Sequence, residues 1–261
     1  MNINTVSTQL LYTTFPIWAE RDNGQFSSGT GFIYNHPVDI EKNSYIPLLM
    51  TNYHVIKDAK KIFTEFVRGE DGKPLIGNKI RIELNAKLFQ ENHDLTNDLA
   101  AHPIAPIVNS LTKANYNVFY RSIDTKLIPT DEVINKLSAI EEILFIGYPS
   151  GLYDQKNSYP IVRKGITATP IWNNFDGEQK FLIDAGVYPG SSGSPVFIYN
   201  QGSYGTEEGI TIGTRLIFLG ILSESILSTK ENKPDYFLGL GSVINSKCFS
   251  GFVTSIVKKF Q

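Results

Sequence analysis

Short apolar segments separated by polar turns run through most of the chain, and they predict an all-β protein. Residues 61–67 and 79–89 alternate apolar and polar side chains with the period of two that is typical of strands. Asn23-Gly24 is a hairpin-turn signal. Other strands are predicted from apolar runs bounded by turn residues: 14–20, 45–53, 143–146, 161–171, 180–184, 195–199, 210–223 and 236–244.

Two segments have helical rather than strand spacing. Thr130 is predicted to cap a helix, since a threonine hydroxyl accepts a hydrogen bond from the first turn. The apolar face of that helix is expected to carry Val133, Ile134, Leu137 and Ile140. A second amphipathic helix is predicted at the C-terminus from Phe249, Val253, Ile256, Val257 and Phe260. Roughly a dozen strands with two helices favour a barrel or a sandwich.

Length and composition allow one large domain or two fused barrels. The chain has 261 residues, of which 41% are hydrophobic, and this supports a sizeable core. The polar, aromatic-dotted stretch 109–125 is predicted to connect the two units. For two barrels, this stretch places the N-terminal barrel at about 14–108, the C-terminal barrel at 126–248 and a terminal helix at 249–261.

Charge and hydropathy exclude several classes of function. A net charge of -2 gives no electrostatic reason to expect a nucleic-acid or anionic-membrane partner. No segment approaches the roughly 20 apolar residues of a membrane span. The N-terminus lacks a basic region followed by an apolar stretch, and the one cysteine, Cys248, allows no intrachain disulfide. These features predict a cytoplasmic protein in a reducing compartment.

The richest candidate chemistry lies in residues 184–197. A Pro189-Gly190 turn leads into a loop of small residues that ends at Ser194 and continues as an apolar strand. The glycines allow backbone N–H groups to converge beside a serine hydroxyl, which is the arrangement that stabilises an oxyanion. Ser192 is therefore a candidate nucleophile.

A serine nucleophile needs a base, and four histidines are available. His54 ends an apolar strand and opens a turn, which places its imidazole at a rim rather than in a core. His36 and His93 lie in polar loops, and His102 lies in a strand-like segment. We interpret these three as structural or surface residues and His54 as the candidate base.

Two acids compete for the role of orienting the base. Asp98 begins an apolar segment and can be held at a strand edge beside an imidazole, whereas Asp94 lies within a polar loop. The sequence favours Asp98, although either acid can be a turn-forming residue. The order His54, Asp98, Ser192 differs from that of nucleophile-elbow hydrolases, whose serine comes first, and it disfavours an esterase on another fold.

Four sequence blocks together resemble the trypsin-like (chymotrypsin-fold) serine peptidases, especially the bacterial HtrA-like and glutamyl-endopeptidase-like branches. The blocks are Gly29-Thr30-Gly31-Phe32, Thr51-Asn52-Tyr53-His54-Val55, Asn97-Asp98-Leu99-Ala100 and the stretch from Asp184 to Pro195. Three further blocks support them, at 147–151, 220–223 and 238–243. The blocks occur in the family's order and cover about residues 14–260.

The resemblance implies two six-stranded antiparallel β-barrels packed face to face, with an active site in the cleft between them. It assigns His54 as the general base, Asp98 as the residue that orients it, and Ser192 as the nucleophile of a serine endopeptidase. It also implies an oxyanion hole made by the backbone N–H groups of Gly190 and Ser192, and a Ser223 hydroxyl beneath the acid. The substrate is expected to be a protein or peptide, and neither a cofactor nor a metal ion is expected.

The resemblance also places the primary substrate pocket between two segments. Its walls are Gly186, Val187 and Tyr188 on one side and Ser223, Glu224 and Ser225 on the other. Gly186 and Val187 bring no charge to the pocket. Glu224 either attracts a basic substrate side chain or points to solvent, so the specificity stays open.

The sequence departs from the family pattern in three respects. Ser191 stands where many members have an acid, so we expect no activation by a freed N-terminus. His54 lacks the usual alanine and cysteine neighbours, which fits a disulfide-free bacterial or viral-type enzyme. No peptide-binding module is expected after the last helix, and this leads to the hypothesis that a regulatory partner protein gates the activity.

An alternative from another functional class stays open. A trypsin-like domain can be catalytically silent and act as a protein-binding module. The contexts of His54, Asp98 and Ser192 argue against that alternative, but they do not establish an open oxyanion hole.

Overall fold

The described chain forms two β-structures, one from each half of the sequence, and a helix near the C-terminal end. The computed structural model describes residues 2–22, 24–39, 41, 44–206, 209–228 and 236–259. Asn23 of the predicted hairpin turn and Phe260 of the predicted terminal helix lie outside these residues.

The first half forms a sheet of nine strands. These are β1 (Thr14–Arg21), β2 (Phe26–Asp39), β3 (Ser44–Asn52), β4 (Ala59–Glu70), β5 (Lys73–Leu84), β6 (His93–Asp94), β7 (Leu99–Pro103), β8 (Val118–Phe119) and β9 (Ser122–Asp124). Seven strands follow the order β5-β4-β1-β2-β3-β7-β6, while β8 pairs with β4 and β9 runs parallel to β2. The connecting stretch therefore returns to the first sheet before the chain enters the second half.

The second half forms a closed barrel of six antiparallel strands. These are β10 (Glu142–Gly147), β11 (Ile161–Thr167), β12 (Lys180–Asp184), β13 (Pro195–Asn200), β16 (Arg215–Ser228) and β17 (Tyr236–Asn245), and a separate hairpin consists of β14 (Ser203–Thr206) and β15 (Gly209–Ile212). The barrel closes in the order β10-β11-β12-β17-β16-β13. Its interior is filled by apolar side chains of alternate positions, as the period of two requires.

Six α-helices occur in the described residues, and most of them are short. They are α1 (Val6–Leu10), α2 (Tyr53–Ile56), α3 (Ala86–Glu91), α4 (Ala105–Lys113), α5 (Asp131–Ile134) and α6 (Cys248–Val257). None of the helices in the described ranges is long and apolar enough to cross a membrane.

A shared apolar cluster joins the two halves under α6. Phe249 of α6 is fully buried, and its ring centroid lies 5.4 Å from Phe218 of the second barrel. It also lies 6.2 Å from Phe32 and 6.2 Å from Tyr34, which belong to the first sheet. The helix therefore seals the seam between the halves with aromatic contacts.

The structure confirms the all-β class, the closed six-stranded antiparallel barrel of the second half and the C-terminal helix. The first half differs from a six-stranded antiparallel barrel because it has nine strands and one parallel pair. The two extra short strands β8 and β9 come from the polar stretch 109–125, which pairs back onto β4 and β2.

Four local predictions were wrong in their extent. The strand predicted at 161–171 ends at Thr167. Thr130 does cap α5, but the helix ends at Ile134, and Ile140 is 67% exposed because the chain turns there to enter β10. The strand predicted at 79–89 ends at Leu84, because Asn85 accepts a hydrogen bond from Leu88 N–H and starts α3. The strand predicted at 210–223 is interrupted between β15 and β16.

Candidate active site

Backbone pairing between β3 and β7 brings His54 and Asp98 together. Asn52 at the end of β3 pairs with Leu99 at the start of β7. The Asp98 carbonyl oxygen accepts hydrogen bonds from Asn52 Nδ2 and Tyr53 N–H, each at 3.0 Å. His54 follows in the first turn of α2, and its backbone N–H donates to Asp98 Oδ1 at 2.9 Å.

The Asp98 carboxylate holds the His54 ring and one further hydroxyl. His54 Nδ1 lies 2.6 Å from Asp98 Oδ2, and Ser223 Oγ donates to the same oxygen at 3.0 Å. Burial raises the pKa of the Asp98 carboxyl, but the hydrogen bonds and charge of His54, together with the Ser223 bond, outweigh burial and hold that pKa below its ordinary value. The carboxylate is therefore ionised at neutral pH and fixes the orientation of the imidazole.

The competing acid, Asp94, uses both carboxylate oxygens for hydrogen bonds within the turn that follows it. Its Oδ1 accepts hydrogen bonds from Thr96 N–H at 2.9 Å and Asn97 N–H at 3.1 Å, and its Oδ2 accepts one from Asn97 Nδ2 at 2.7 Å. This is the turn-forming use of aspartate. Of the two acids, the structure places Asp98 against His54.

Two of the other histidines have structural contacts. The His93 ring stacks on Tyr53 with centroids 4.5 Å apart. His102 is buried, packs against Phe89 at 5.2 Å and donates from Nδ1 to the Pro103 carbonyl at 2.9 Å. Burial lowers the pKa of His102, so its ring is neutral in the fold.

The loop before Ser192 is a tight turn, and residues outside the loop donate hydrogen bonds to its carbonyl groups. Ser191 N–H donates to the Tyr188 carbonyl at 3.1 Å across Pro189 and Gly190. Gly190 has a φ of +85°, which the third position of a type II turn requires. The Pro189 carbonyl accepts a hydrogen bond from Ser150 N–H at 2.6 Å. Because the peptide is trans, Gly190 N–H points to the opposite side.

Both halves of the molecule fix Ser192 itself. Its carbonyl accepts from Thr30 N–H of β2 at 2.8 Å, and the next N–H, that of Gly193, donates to the Leu222 carbonyl of β16 at 2.8 Å. Gly193 has a φ of +90°, and a Cβ there would lie 1.8 Å from the Thr30 carbonyl oxygen. Only glycine fits this position.

Two backbone N–H groups of the serine loop make no hydrogen bond to the protein in the part of the chain that the structure describes. They belong to Gly190 and Ser192. Ser191 between them is fully buried. The half-buried Ser192 makes no direct hydrogen bond to the His54 ring among the described residues. Backbone donors without a protein acceptor are the groups with which acyl-transfer enzymes stabilise an oxyanion.

Residues of the first predicted pocket wall differ in accessibility. Val187 is buried in the barrel core, whereas Tyr188 is 45% exposed. Ser225 Oγ donates to the Val187 carbonyl at 3.2 Å and joins the walls. Arg163 also belongs to the first wall and was not among the predicted residues, and its guanidinium lies 4.9 Å from the centroid of the Tyr188 ring. Neither spacing nor motif could have found it, because β11 reaches this wall only through the barrel.

The remaining predicted pocket residues lie as follows. Gly186 is half-buried beside the Arg163 side chain, Ser223 is buried, and Glu224 is exposed. Within the described ranges, no group of three or more His, Cys, Asp or Glu side chains is arranged to hold a metal ion.

A closed barrel and a second sheet that jointly hold a serine loop and a paired histidine define a serine-type protease fold. A model of the trypsin-like peptidase domain matches residues 29–203, and the chain therefore belongs to this family. Membership implies protein or peptide substrates. A search of curated protein sequences finds no match.

The chain is similar to several solved structures at low sequence identity, and the first of those named here shares its fold. HL collagenase has a TM-score of 0.53 at 11% identity, over 96% of this chain and 95% of that one. The active form of the Rv3671c protease from M. tuberculosis has a TM-score of 0.47 at 14% identity, over 96% of this chain and 83% of that one. A catalytically inactive tobacco etch virus protease complexed with substrate has a TM-score of 0.49 at 13% identity, over 92% and 81% of the two chains.

Proposed function

We propose that this protein is a serine endopeptidase that uses His54, Asp98 and Ser192. The observation that carries the proposal is the hydrogen-bonded set of His54, Asp98 and Ser223, which faces the same junction as the Ser192 loop. A histidine held through Nδ1 by an ionised carboxylate keeps Nε2 free to accept a proton. A histidine used only for packing does not need this arrangement.

The reaction follows from these positions. His54 Nε2 takes the proton of the Ser192 hydroxyl as the oxygen attacks the carbonyl carbon of the scissile peptide. His54 then protonates the leaving amine, and an acyl-enzyme remains on Ser192. Water, deprotonated by His54, hydrolyses the acyl-enzyme and restores the serine.

The free N–H groups of Gly190 and Ser192 stabilise the oxyanion of each tetrahedral intermediate. The protein leaves both without an acceptor in the described residues, which supports this role. Loss of one such donor lowers the rate by roughly 10²–10³. An arrangement of this kind favours catalysis over a silent protein-binding domain.

The test uses a fluorophosphonate probe and casein cleavage. Wild-type protein should be labelled at Ser192 and should cleave unfolded casein. Ser192→Ala should lose both properties, whereas Ser203→Ala, a change in the exposed hairpin, should keep them. An unlabelled wild type whose casein cleavage matches that of Ser192→Ala would support the silent binding module and contradict the peptidase. A cleavage profile on a peptide library then gives the preferred substrate.

A further inference from the structure

The hydroxyl of Thr30 connects three segments at the rear of the serine loop. Thr30 lies in β2 and is fully buried. Its Oγ1 accepts a hydrogen bond from Tyr148 N–H at 3.0 Å and donates one to the Gly190 carbonyl at 3.2 Å. One side chain of the first half thus links the 147–151 turn of the second half to the loop that carries the proposed nucleophile.

The backbone of Thr30 is fixed by the same surroundings. Its N–H donates to the Ser192 carbonyl at 2.8 Å, and its carbonyl accepts from Thr51 Oγ1 at 2.8 Å. Gly193 packs directly against that carbonyl. Every hydrogen-bonding group of Thr30 therefore has a partner, and three of the four partners belong to segments that build the candidate site.

Gly190 is the residue that most needs external support. The carbonyl of Pro189, just before it, accepts a hydrogen bond from Ser150 N–H. Its own carbonyl accepts one from Thr30 Oγ1. A glycine accepts either sign of φ with little penalty, so its own conformation does not fix the direction of its N–H. The surrounding hydrogen bonds must do so.

We propose that Thr30 is a positioning residue that holds Gly190 with its N–H directed at the oxyanion. The inference rests on the proposed peptidase function and names a side chain through which the first half controls the oxyanion hole of the second. Without the hydroxyl, the Gly190 carbonyl and Tyr148 N–H are buried without their shared partner. The peptide groups on either side of Gly190 then rotate to find new hydrogen-bond partners, and this rotation turns the Gly190 N–H away from the oxyanion.

The space around the hydroxyl supports a dedicated contact. A Cβ on Gly147 would lie 2.6 Å from Thr30 Oγ1 and 2.0 Å from Ser194 Oγ. The glycine at position 147 therefore leaves room for the Thr30 hydroxyl to reach the loop. A larger residue there would push the two hydroxyl groups aside.

The experiment compares Thr30→Val, Thr30→Ser and the control Thr64→Val. Valine keeps the shape of threonine and removes the hydroxyl, whereas serine keeps the hydroxyl. Thr64 is also fully buried in the first sheet, but its hydroxyl has no partner among the described residues. The readouts are kcat and KM on the best peptide of the cleavage profile, the rate of fluorophosphonate labelling, and Tm.

Thr30→Val should lower kcat by about 10–100-fold, because a small misplacement of a catalytic donor has effects of this size. KM should stay within about threefold, since the lost interaction acts in the transition state. Labelling should slow in parallel, Thr30→Ser should recover most of kcat, and Thr64→Val should match the wild type. If Thr30→Val does not fold, Thr30→Ala is measured in the same way.

A folded Thr30→Val or Thr30→Ala with wild-type kcat overturns the inference. Equal losses in Thr30→Ser and Thr30→Val, or a similar loss in Thr64→Val, also overturn it, because a general change in packing then explains the effect. These results leave the peptidase proposal intact. That proposal fails separately if the wild type is not labelled and cleaves no better than Ser192→Ala.

Discussion

Asp98 shows how much of the candidate site is determined at one residue. Its φ of +50° is a left-handed conformation that aspartate tolerates better than most side chains. In this conformation its carbonyl accepts from Asn52 and Tyr53 while its carboxylate faces His54 and Ser223. The backbone of the residue and its charge are therefore oriented together.

We expect Asp98→Asn to lower kcat by about 10⁴-fold, since the amide cannot hold the required tautomer of the base. The matched control is Asp94→Asn. It removes the charge of the neighbouring acid and introduces an asparagine, which also suits the turn. This control should retain activity within about threefold of the wild type. Steady-state kinetics at neutral pH check both variants, and an equal loss in the two would contradict the choice of Asp98.

The buried His102 makes stability depend on pH. Burial lowers its pKa from the ordinary 6.5, and its Nε2 has no hydrogen-bond partner among the described residues. Below about pH 6.5 the unfolded chain binds a proton that the folded chain does not, so the free energy of unfolding decreases as pH falls. This group contributes at most about 1.4 kcal/mol per pH unit to the pH dependence of that free energy.

Urea denaturation between pH 8 and pH 5 tests the His102 effect. In His102→Phe the free energy of unfolding should decrease less below about pH 6.5 than in the wild type, because the unfolded variant binds one proton fewer. His36, whose pKa is also lowered by burial, contributes equally to both proteins and cancels in the difference. Parallel pH curves for the two proteins would rule out a neutral buried His102.

Long-range contacts at the residue scale explain what the sequence could not predict. His54, Asp98 and Ser192 stand in short blocks whose local context makes them candidates. The Thr30 hydroxyl bonds to Gly190, which is 160 positions away, and no local pattern marks that contact. Arg163 reaches Tyr188 in the same way, through barrel closure rather than through spacing.

At the scale of elements, local capping overrides periodicity. Residues 79–89 alternate like a strand, yet Asn85 starts α3. Its side chain accepts a hydrogen bond from Leu88 N–H, one of the backbone donors that the first turn of a helix leaves without a partner. The segment after α5 behaves similarly, since Ser138 N–H donates to Glu141 Oε1 and ends the helical pattern. Element type was therefore predictable where burial decides it, and element boundaries were not.

The ion pair of Arg215 and Glu141 fixes this turn to β16. Arg215 Nη2 lies 2.6 Å from Glu141 Oε2, and the side chains are only 13% and 9% exposed. Arg215→Met should lower the free energy of unfolding by about 3–5 kcal/mol, because it leaves a buried carboxylate without its cation. Urea denaturation measures the change.

The neighbouring pair of Lys164 and Glu142 provides the control. It has a similar distance, 2.9 Å, but its side chains are 67% and 59% exposed. Lys164→Met should change stability by at most about 1 kcal/mol, since water screens an exposed pair. Equal effects of Arg215→Met and Lys164→Met would show that burial does not set the strength of these pairs.

At the scale of the whole molecule, the candidate site depends on how the two halves meet. His54 and Asp98 belong to the first sheet, Ser192 and Ser223 to the second barrel, and Thr30 and Ser223 cross between them. The sequence predicted two β units and assigned these residues to them. It did not predict that the connecting stretch adds β8 and β9 to the first sheet, because two- and three-residue strands have no periodicity to detect.

The seam under α6 should decide whether the halves unfold together. Phe249→Ala removes a fully buried ring that contacts both halves, and we expect it to lower stability by about 3–5 kcal/mol. Trp18 lies in the first sheet and Trp172 in the second half. Tryptophan fluorescence of Trp172→Phe therefore reports on the first half, and that of Trp18→Phe reports on the second. With Phe249 intact, the two fluorescence transitions in urea should coincide.

In Phe249→Ala the two transitions should separate, because the shared cluster that couples the halves has lost its central ring. Phe175→Ala is the control, since Phe175 is 36% exposed and lies away from the seam in a turn of the second half. Coincident transitions in Phe249→Ala, with a stability loss no larger than that of Phe175→Ala, would show that α6 does not couple the halves. The two transitions can also separate while casein cleavage is lost at urea concentrations below both. That result would place the coupling at the junction that holds Ser192.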